Sequence, residues 1–554
     1  MTPHPRPAPA HLAGTPGYVT VTAGAAHIRV YASTTAPHPS ESAPTGHAHV
    51  DNRGPGERLT LVLLHDSPGS AAALAPLAMR LAETHRVVTI DLPGHGGTTV
   101  PADPVNPAAT AARTVTEVLH KLGLSEAPIA GLGYGARVLA HMNGPNRMVT
   151  RGTTPATAPV PPPGVGHLID TWWRVRHQTH PSEQLNPADL NEVFTDVLGQ
   201  PTFSPPSAPF DLDGAIELPE WSAPAIQSAA AGAAVGAAAD GGIAYRLSIV
   251  DNRVGEIDYR FVNGVPLHFR TAGWGRAGRP LVVLPPAPGS STKVAALVEQ
   301  LGRHRPVLAV DYPGHGRSAP LEPAQNHDRP APPGSVHNHN RPAPLGSVLG
   351  PGAERESILD CGTDGTAGSG FGHVAVTPEA YADRVEALVA ELGLGDVDVY
   401  GSHSGALIGL LWQRRHPGRV RGLVLDGLPL GSSFAHLDLD EYLPDLTPDR
   451  DGQHVLRAWA MGHTRENATA WTADLLRGAA TYDVLYRAVL TYAVEEQPGG
   501  PPTPTLLLRT AGDKLARDVE RVHELLPHAR VADTTPETTA AVVEQFLTLV
   551  GSPL

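Results

Sequence analysis

The chain of 554 residues has one cysteine, Cys361, so no disulfide can form within it. Lysine is nearly missing: Lys121, Lys293 and Lys514 are the only three, and arginine carries almost all the positive charge. No run of basic residues occurs, and the net charge is −14 with histidine neutral. A nucleic-acid binder needs a concentrated basic face to exchange counterions, and that class is excluded. An anionic membrane surface is disfavoured for the same reason. Long apolar runs are also lacking. The stretch from Ala223 to Ala239 is mostly alanine and glycine, too short and too weakly apolar to span a bilayer. Met1 to Gly14 has no apolar segment behind a basic start, so no signal peptide is expected. The expectation is a cytoplasmic protein that binds neither nucleic acid nor membrane. What is abundant is glycine, 58 residues, and proline, 57, about twice the usual proline share of roughly 5%. That excess must sit in turns, linkers and insertions. Alanine, glycine, proline and arginine together have the bias of a GC-rich bacterial genome. The length exceeds what one core supports, so at least two domains are expected.

The sequence contains itself twice. Pro68-Gly69-Ser70 recurs as Pro288-Gly289-Ser290, and Asp91-Leu92-Pro93-Gly94-His95-Gly96 as Asp311-Tyr312-Pro313-Gly314-His315-Gly316. Pro68 precedes Asp91 by 23 residues, and Pro288 precedes Asp311 by the same 23. An apolar run, Leu61 to Leu64 or Leu281 to Leu284, leads into each Pro-Gly-Ser. Another, Val87 to Ile90 or Val307 to Val310, leads into each Asp. Such runs read as strands buried on both faces of a parallel sheet. Helical patterns at Ala71 to Thr84 and Ser291 to His304 complete a βαβ unit in each half. A hairpin is expected ahead of each, Tyr18 to Val30 and Tyr259 to Arg270. Downstream, each half has a helix and a strand ending in Gly-x-x-x-Gly, Gly131 to Gly135 and Gly401 to Gly405. A later pair is His167-x4-Trp172 and His454-x4-Trp459.

These patterns predict two α/β domains with mostly parallel sheets and helical lids. The first covers 15–205 and is truncated. A Pro/Ala/Gly-rich linker spans 206–256, and the second domain covers 257–554. An insertion near 319–376 is poor in apolar residues and is expected to be disordered. Its His327, His337 and His339 have no acidic or cysteine partner at fixed spacing, so no metal site is expected. No cofactor is expected either. A truncated first sheet would leave strand edges open, which is costly unless they are covered, so the halves are expected to pack on each other.

Strand, Pro-Gly-Ser, helix, strand, Asp-x-Pro-Gly-His-Gly, helix, strand, tight glycine turn and helix together resemble the α/β-hydrolase fold. The resemblance covers roughly 18–200 and 257–553. It implies a nucleophile on a strained strand-to-helix turn, an oxyanion site at the helix N-terminus, a base histidine and an acid. In the first half the nucleophile position is Gly133, which has no side chain, so that half is expected to be non-catalytic. In the second half Gly401-Ser402-His403-Ser404-Gly405 allows two registers. One puts His403 at the nucleophile position; the other, slid by one residue, puts Ser404 there. With His403 at the turn and His-x4-Trp downstream, the chain is similar to a bacterial subset of the fold with Gly-x-His-[Ser/Thr]-Gly.

The acid has two candidates, Asp513 past the seventh strand and Asp426 at the end of the sixth. No histidine follows the final strand, so a complete Ser-His-Asp set is missing in both halves. His403 itself, or His454 or His463 from the lid, could stand in. Around these, Ala287, Gly405 and Trp459 are expected at an oxyanion or substrate pocket. Pro285 and Pro286 lack an N–H, so Ala287 is the donor of its loop. Three readings follow. The first is an enzyme acting on a small apolar carbonyl compound through His403, by hydrolysis, C–C cleavage or cyclisation. The second is a Ser404 esterase with a displaced histidine. The third is an inactive pair serving as a binding or assembly module.

Overall fold

In the computed structural model, residues 17–21, 26–33, 59–67, 69–100, 103, 105–142, 147–150, 165–178, 186–198, 216–217, 223–227, 257–262, 265–319, 377–462, 468–479, 481–497 and 503–551 are described. Cys361, the insertion histidines and His463 lie outside them.

Two mixed sheets form. The first holds β1 (Gly17–Val21), β2 (Ala26–Ser33), β3 (Thr60–Leu64), β4 (Arg86–Ile90), β5 (Ile129–Leu132), β6 (Arg147–Thr150) and β7 (Ile216–Glu217), in the order β1-β2-β4-β3-β5-β6-β7. The second holds β8 (Ile257–Val262), β9 (Val265–Ala272), β10 (Leu281–Leu284), β11 (Val307–Val310), β12 (Val397–Ser402), β13 (Val420–Asp426), β14 (Thr505–Thr510) and β15 (Arg530–Thr534), in the order β8-β9-β11-β10-β12-β13-β14-β15. Counted from its own first strand, each sheet has the same order, and the second has one strand more. The opening hairpins pair antiparallel, and β2 and β9 join β4 and β11 antiparallel. The inner pairs are parallel, as the doubly buried apolar runs required. Leu61 to Leu64 and Leu281 to Leu284 are fully buried.

In the first half, α1 (Ala75–Leu81), α2 (Pro107–Lys121) and α3 (Tyr134–Ala140) belong to the sheet, and α4 (Val165–Gln178) and α5 (Pro187–Leu198) follow it. The expected helix from Ala71 begins as a 3-10 turn, Ala71–Leu74, before α1. Strand β6 and two stretches inside the expected linker are additions to the sequence reading. Ile216 pairs with Met148 in parallel. Residues 223–227 form α6, whose Ala223 and Ile226 are buried against Leu61, Leu63 and Leu77. The linker expected at 206–256 therefore contributes to the first core at these points. Apolar side chains three residues apart cover a strand face that the Ala- and Pro-rich composition had obscured.

In the second half, α7 (Ala295–Leu301) connects β10 and β11, and α8 (Pro378–Glu391) enters β12. The Thr377 side chain accepts from the Ala380 amide and Pro378 takes the first helical position, two features that start a helix sharply. Helix α9 (Ser404–Arg415) leaves β12. After β13 come α10 (Gly431–Phe434), α11 (Leu439–Tyr442), α12 (Gln453–Gly462), α13 (Ala468–Arg477) and α14 (Val484–Leu490); α15 (Val519–Leu525) and α16 (Thr539–Gly551) close the chain. The described residues within 1–320 and 376–554 form one compact unit; the insertion expected near 319–376 lies almost wholly outside the described residues. Within that unit, α4 and α5 pack against α12 and α13. They share an apolar cluster that includes Trp172, Phe194, Val455 and Leu476. Among the described residues, no helix is long and apolar enough to cross a membrane.

Candidate active site

The turn between β12 and α9 puts His403 at φ 50°, ψ −114°, the one positive-φ residue other than glycine among the described residues. Such a conformation costs a side-chain-bearing residue on the order of 1–3 kcal/mol. The flanking glycines are what let the strand turn this sharply. A Cβ on Gly401 would lie 2.2 Å from the Gly405 carbonyl oxygen, and one on Gly405 would lie 2.0 Å from that of Leu284. The His403 amide donates to the Asp426 carbonyl at 2.8 Å, tying the apex to the end of β13.

The His403 ring runs past Gly427 to Asp513. A Cβ at Gly427 would stand 2.8 Å from the imidazole Cδ2, so only glycine leaves that passage open. His403 Nε2 lies 2.5 Å from Asp513 Oδ2. The carboxylate can only accept, so Nε2 donates, and in a neutral ring Nδ1 is then the nitrogen with the lone pair. The other oxygen of Asp513 accepts from the Leu515 amide at 2.7 Å. Burial pushes the Asp513 carboxyl up, but its bond and charge interaction with His403 and the Leu515 amide outweigh this and hold it below the usual carboxylate value. The His403 side chain stays 40% exposed, so solvent and ligand can reach it.

The other candidates have different surroundings. Asp426 is buried, accepting from Tyr400 Oη at 2.6 Å and Thr510 Oγ1 at 2.7 Å. Its carboxyl is raised by burial, partly offset by those two hydroxyls. Ser404 is buried at the first position of α9, and its hydroxyl donates to the Ala287 carbonyl at 3.5 Å. No imidazole is hydrogen-bonded to it among the described residues. The amides of Ala287 and Ser404 have no hydrogen-bond partner there either. In the stretch 285–288 only Ala287 has an N–H, because the other three residues are proline. Gly405 provides closeness to Leu284. His454 is fully buried away from this turn, set edge-on to Trp172 and within 3.2 Å of Asn191 Oδ1. Trp459 is half-buried beside His167. Among the described residues no group of His, Cys, Asp or Glu could hold a metal ion.

The first half repeats the backbone and changes the chemistry. Gly133 adopts φ 52°, ψ −108°, close to His403. Beside it, Asp66 Oδ1 accepts from the Tyr134 amide at 2.6 Å and from the Ser67 amide at 2.8 Å. By position in the repeat these amides correspond to Ser404 and Ala287. Burial lifts the Asp66 carboxyl to about 6, against the lowering effect of both amides and Arg137. His95 Nε2 bonds the Ser67 hydroxyl at 2.8 Å, and burial drops His95 to about 4. In the second half Ala287 has no hydroxyl to offer, and the Nε2 of buried His315 lacks a partner among the described residues.

Sequence reasoning did not foresee Asp66, in the loop after β3, on these amides. The coincidence of an acid in that loop with a glycine at 133 was the available signal. It also missed Asp474, whose carboxylate accepts from Ser290 Oγ at 2.7 Å through both oxygens. Asp474 is buried and raised to about 6, first by that burial and then by Asp311.

Residues 279–533 match the sequence model of the alpha/beta hydrolase fold family. Similar solved structures include a hydrolase from Pseudomonas aeruginosa PA01, 17% identical, covering 53% of this chain and 99% of its own, with a TM-score of 0.36. An esterase from Rhodococcus sp. ECU1013 is 19% identical over 54% of this chain and 100% of its own, with a TM-score of 0.36. A thermophilic esterase from Thermogutta terrifontis is 16% identical over 54% and 100%, with a TM-score of 0.35. Residues 279–533 are thus similar to the alpha/beta hydrolase fold family, and the α/β fold described above agrees with that similarity.

Proposed function

We propose that the second half is an enzyme acting on a small, largely apolar carbonyl compound, with His403 and Asp513 as its acid/base pair. The observation that carries this reading is the 2.5 Å contact between His403 Nε2 and Asp513 Oδ2 at a positive-φ turn. A side chain at the nucleophile position of the turn reaches the acid directly, so one imidazole stands at the turn and is oriented by a carboxylate.

In hydrolysis, Nδ1 takes a proton from water as the water oxygen attacks the carbonyl carbon. The carbonyl π pair moves onto oxygen. That oxyanion accepts from the Ala287 and Ser404 amides, which have no other partner among the described residues. The tetrahedral intermediate collapses, the bond to the leaving group breaks, and the leaving group takes the proton back from Nδ1. The same proton-transfer pair beside the same amides would serve C–C cleavage or cyclisation, since a fold does not fix a reaction.

In this reading the chain is a tandem duplication and its first half is non-catalytic. Gly133 supplies no reacting group, and Asp66 occupies the amides that would hold an oxyanion. The two halves dock as one unit, supported by their shared apolar cluster. The test is turnover on a panel of small aryl and alkyl esters and β-dicarbonyl compounds. Asp513→Asn and His403→Gln should each lower kcat by about 10²- to 10⁴-fold with little change in KM. Full activity in Asp513→Asn would overturn the assignment.

A further inference from the structure

Helices α4 and α12 carry the paired His-x4-Trp stretches, and the contacts between them are reciprocal. The His454 ring stands edge-on to Trp172 with centroids 4.8 Å apart. The His167 ring stands edge-on to Trp459 at 6.5 Å. A second reciprocal pair joins each histidine to the next helix of the other half. His454 Nε2 is 3.2 Å from Asn191 Oδ1 on α5, and His167 Nε2 is 3.1 Å from Thr469 Oγ1 on α13. Asn191 lies five residues before Asp196, and Thr469 five before Asp474. The match stops at those two acids: Ser290 bonds Asp474, whereas the buried Ser70 hydroxyl has no hydrogen-bond partner among the described residues.

A surface that meets its own copy has a signature: if residue i of one side touches j of the other, then i of the other side touches j of the first. Both pairs above have it. The buried core they frame draws eight residues from each half. A contact between unlike surfaces would show no such exchange.

We infer that the lid face of each half is a self-complementary docking surface, so that the chain is built as a dimer of halves whose partner is supplied in cis. The first half persists, in this account, as the permanent partner of the second half's lid. The inference stands apart from the chemistry proposed above, because none of these residues touches His403 or Asp513.

The test uses the full chain with a specific protease site placed between residues 230 and 255. After cleavage the two pieces should co-migrate as one species of the intact mass, 58.0 kDa. Double-mutant cycles on the nicked protein then test reciprocity, with His454→Ala against Trp172→Ala and His167→Ala against Trp459→Ala. Both cycles should be non-additive in the dissociation constant. Trp459→Ala, at a half-buried position, should weaken association at least about tenfold, and it decides the matter if Trp172→Ala fails to fold. Two results would overturn the inference: separation of the wild-type pieces while each keeps its native circular dichroism, or additivity in the His167 and Trp459 cycle. Because activity is not the readout, failure here leaves the His403 assignment to its own test.

Discussion

A side chain at residue 133 and the carboxylate of Asp66 cannot coexist: a Cβ built on Gly133 would fall 2.2 Å from Asp66 Oδ1 and Oδ2. Glycine at 133 makes room for the carboxylate that accepts from the Tyr134 and Ser67 amides. Gly133→Ser should therefore destabilise the protein by roughly 2–4 kcal/mol, through overpacking and the strain of a side chain at φ 52°. It should create no esterase activity. Thermal melting checks the first point. Adding Asp66→Gly should recover part of the lost stability by removing the clash.

Asp66 also sets a pH dependence that can be isolated. Its folded-state value is raised to about 6 from an ordinary 3.8. For an acid raised on folding, the favourable contribution is complete below the unfolded value and is lost as pH rises through the folded one. Asp66→Asn keeps an oxygen for both amides and removes the titration. The variant should thus gain on the wild type between pH 4 and pH 8, by at most about 3 kcal/mol. Denaturant unfolding at the two pH values reads the difference, and a constant difference would show that Asp66 is not raised.

Much of the architecture was legible because two periodic signals agreed. Apolar runs such as Leu281 to Leu284 fixed the inner strands, and the matched spacing from Pro-Gly-Ser to Asp fixed the βαβ units. Strand β6 and helix α6 were harder to read. Arg147-Met148-Val149-Thr150 is too short for alternation to register, and Ala223 and Ile226 sit in a stretch whose composition is that of a linker. At the site, sequence placed His403 and Asp513 among the candidates but could not set their distance. That distance depends on Gly427 leaving space for the ring, a three-dimensional condition. Nor could it see that Asp66 folds back onto the amides on either side of its own pocket. The lid histidines looked like substitutes for a base, yet His454 is enclosed by Trp172 and Asn191. A repeated His-x4-Trp pattern is as readily explained by packing between helices as by chemistry.

The Ser290 hydroxyl is the only side-chain donor given to buried Asp474 among the described residues. Ser290→Ala should leave that carboxyl without a partner and cost about 1–3 kcal/mol. Asp474→Asn, which keeps an acceptor for the hydroxyl and removes the burial of a charge, should cost less. Chemical denaturation of the two variants checks the order, and the reverse order would contradict the role given to Ser290.

The insertion is expected to be dispensable for the fold. Residues 321–375 lie outside the described residues, and their sequence is rich in Pro, Gly and His with few apolar residues to build a core. Replacing 325–370 with a short Gly/Ser linker should leave the melting temperature within a few degrees. A loss of cooperative unfolding would show that the segment supports the second half.

The most direct measurement compares His403→Ala with Ser404→Ala on one substrate turned over by the wild type, with a fluorophosphonate probe applied to all three proteins. The account predicts that His403→Ala loses about 10²-fold or more in kcat/KM, that Ser404→Ala stays within a few-fold of wild type, and that the probe labels none of them. Labelling at Ser404 with a dead Ser404→Ala, or undiminished turnover in His403→Ala, would contradict it.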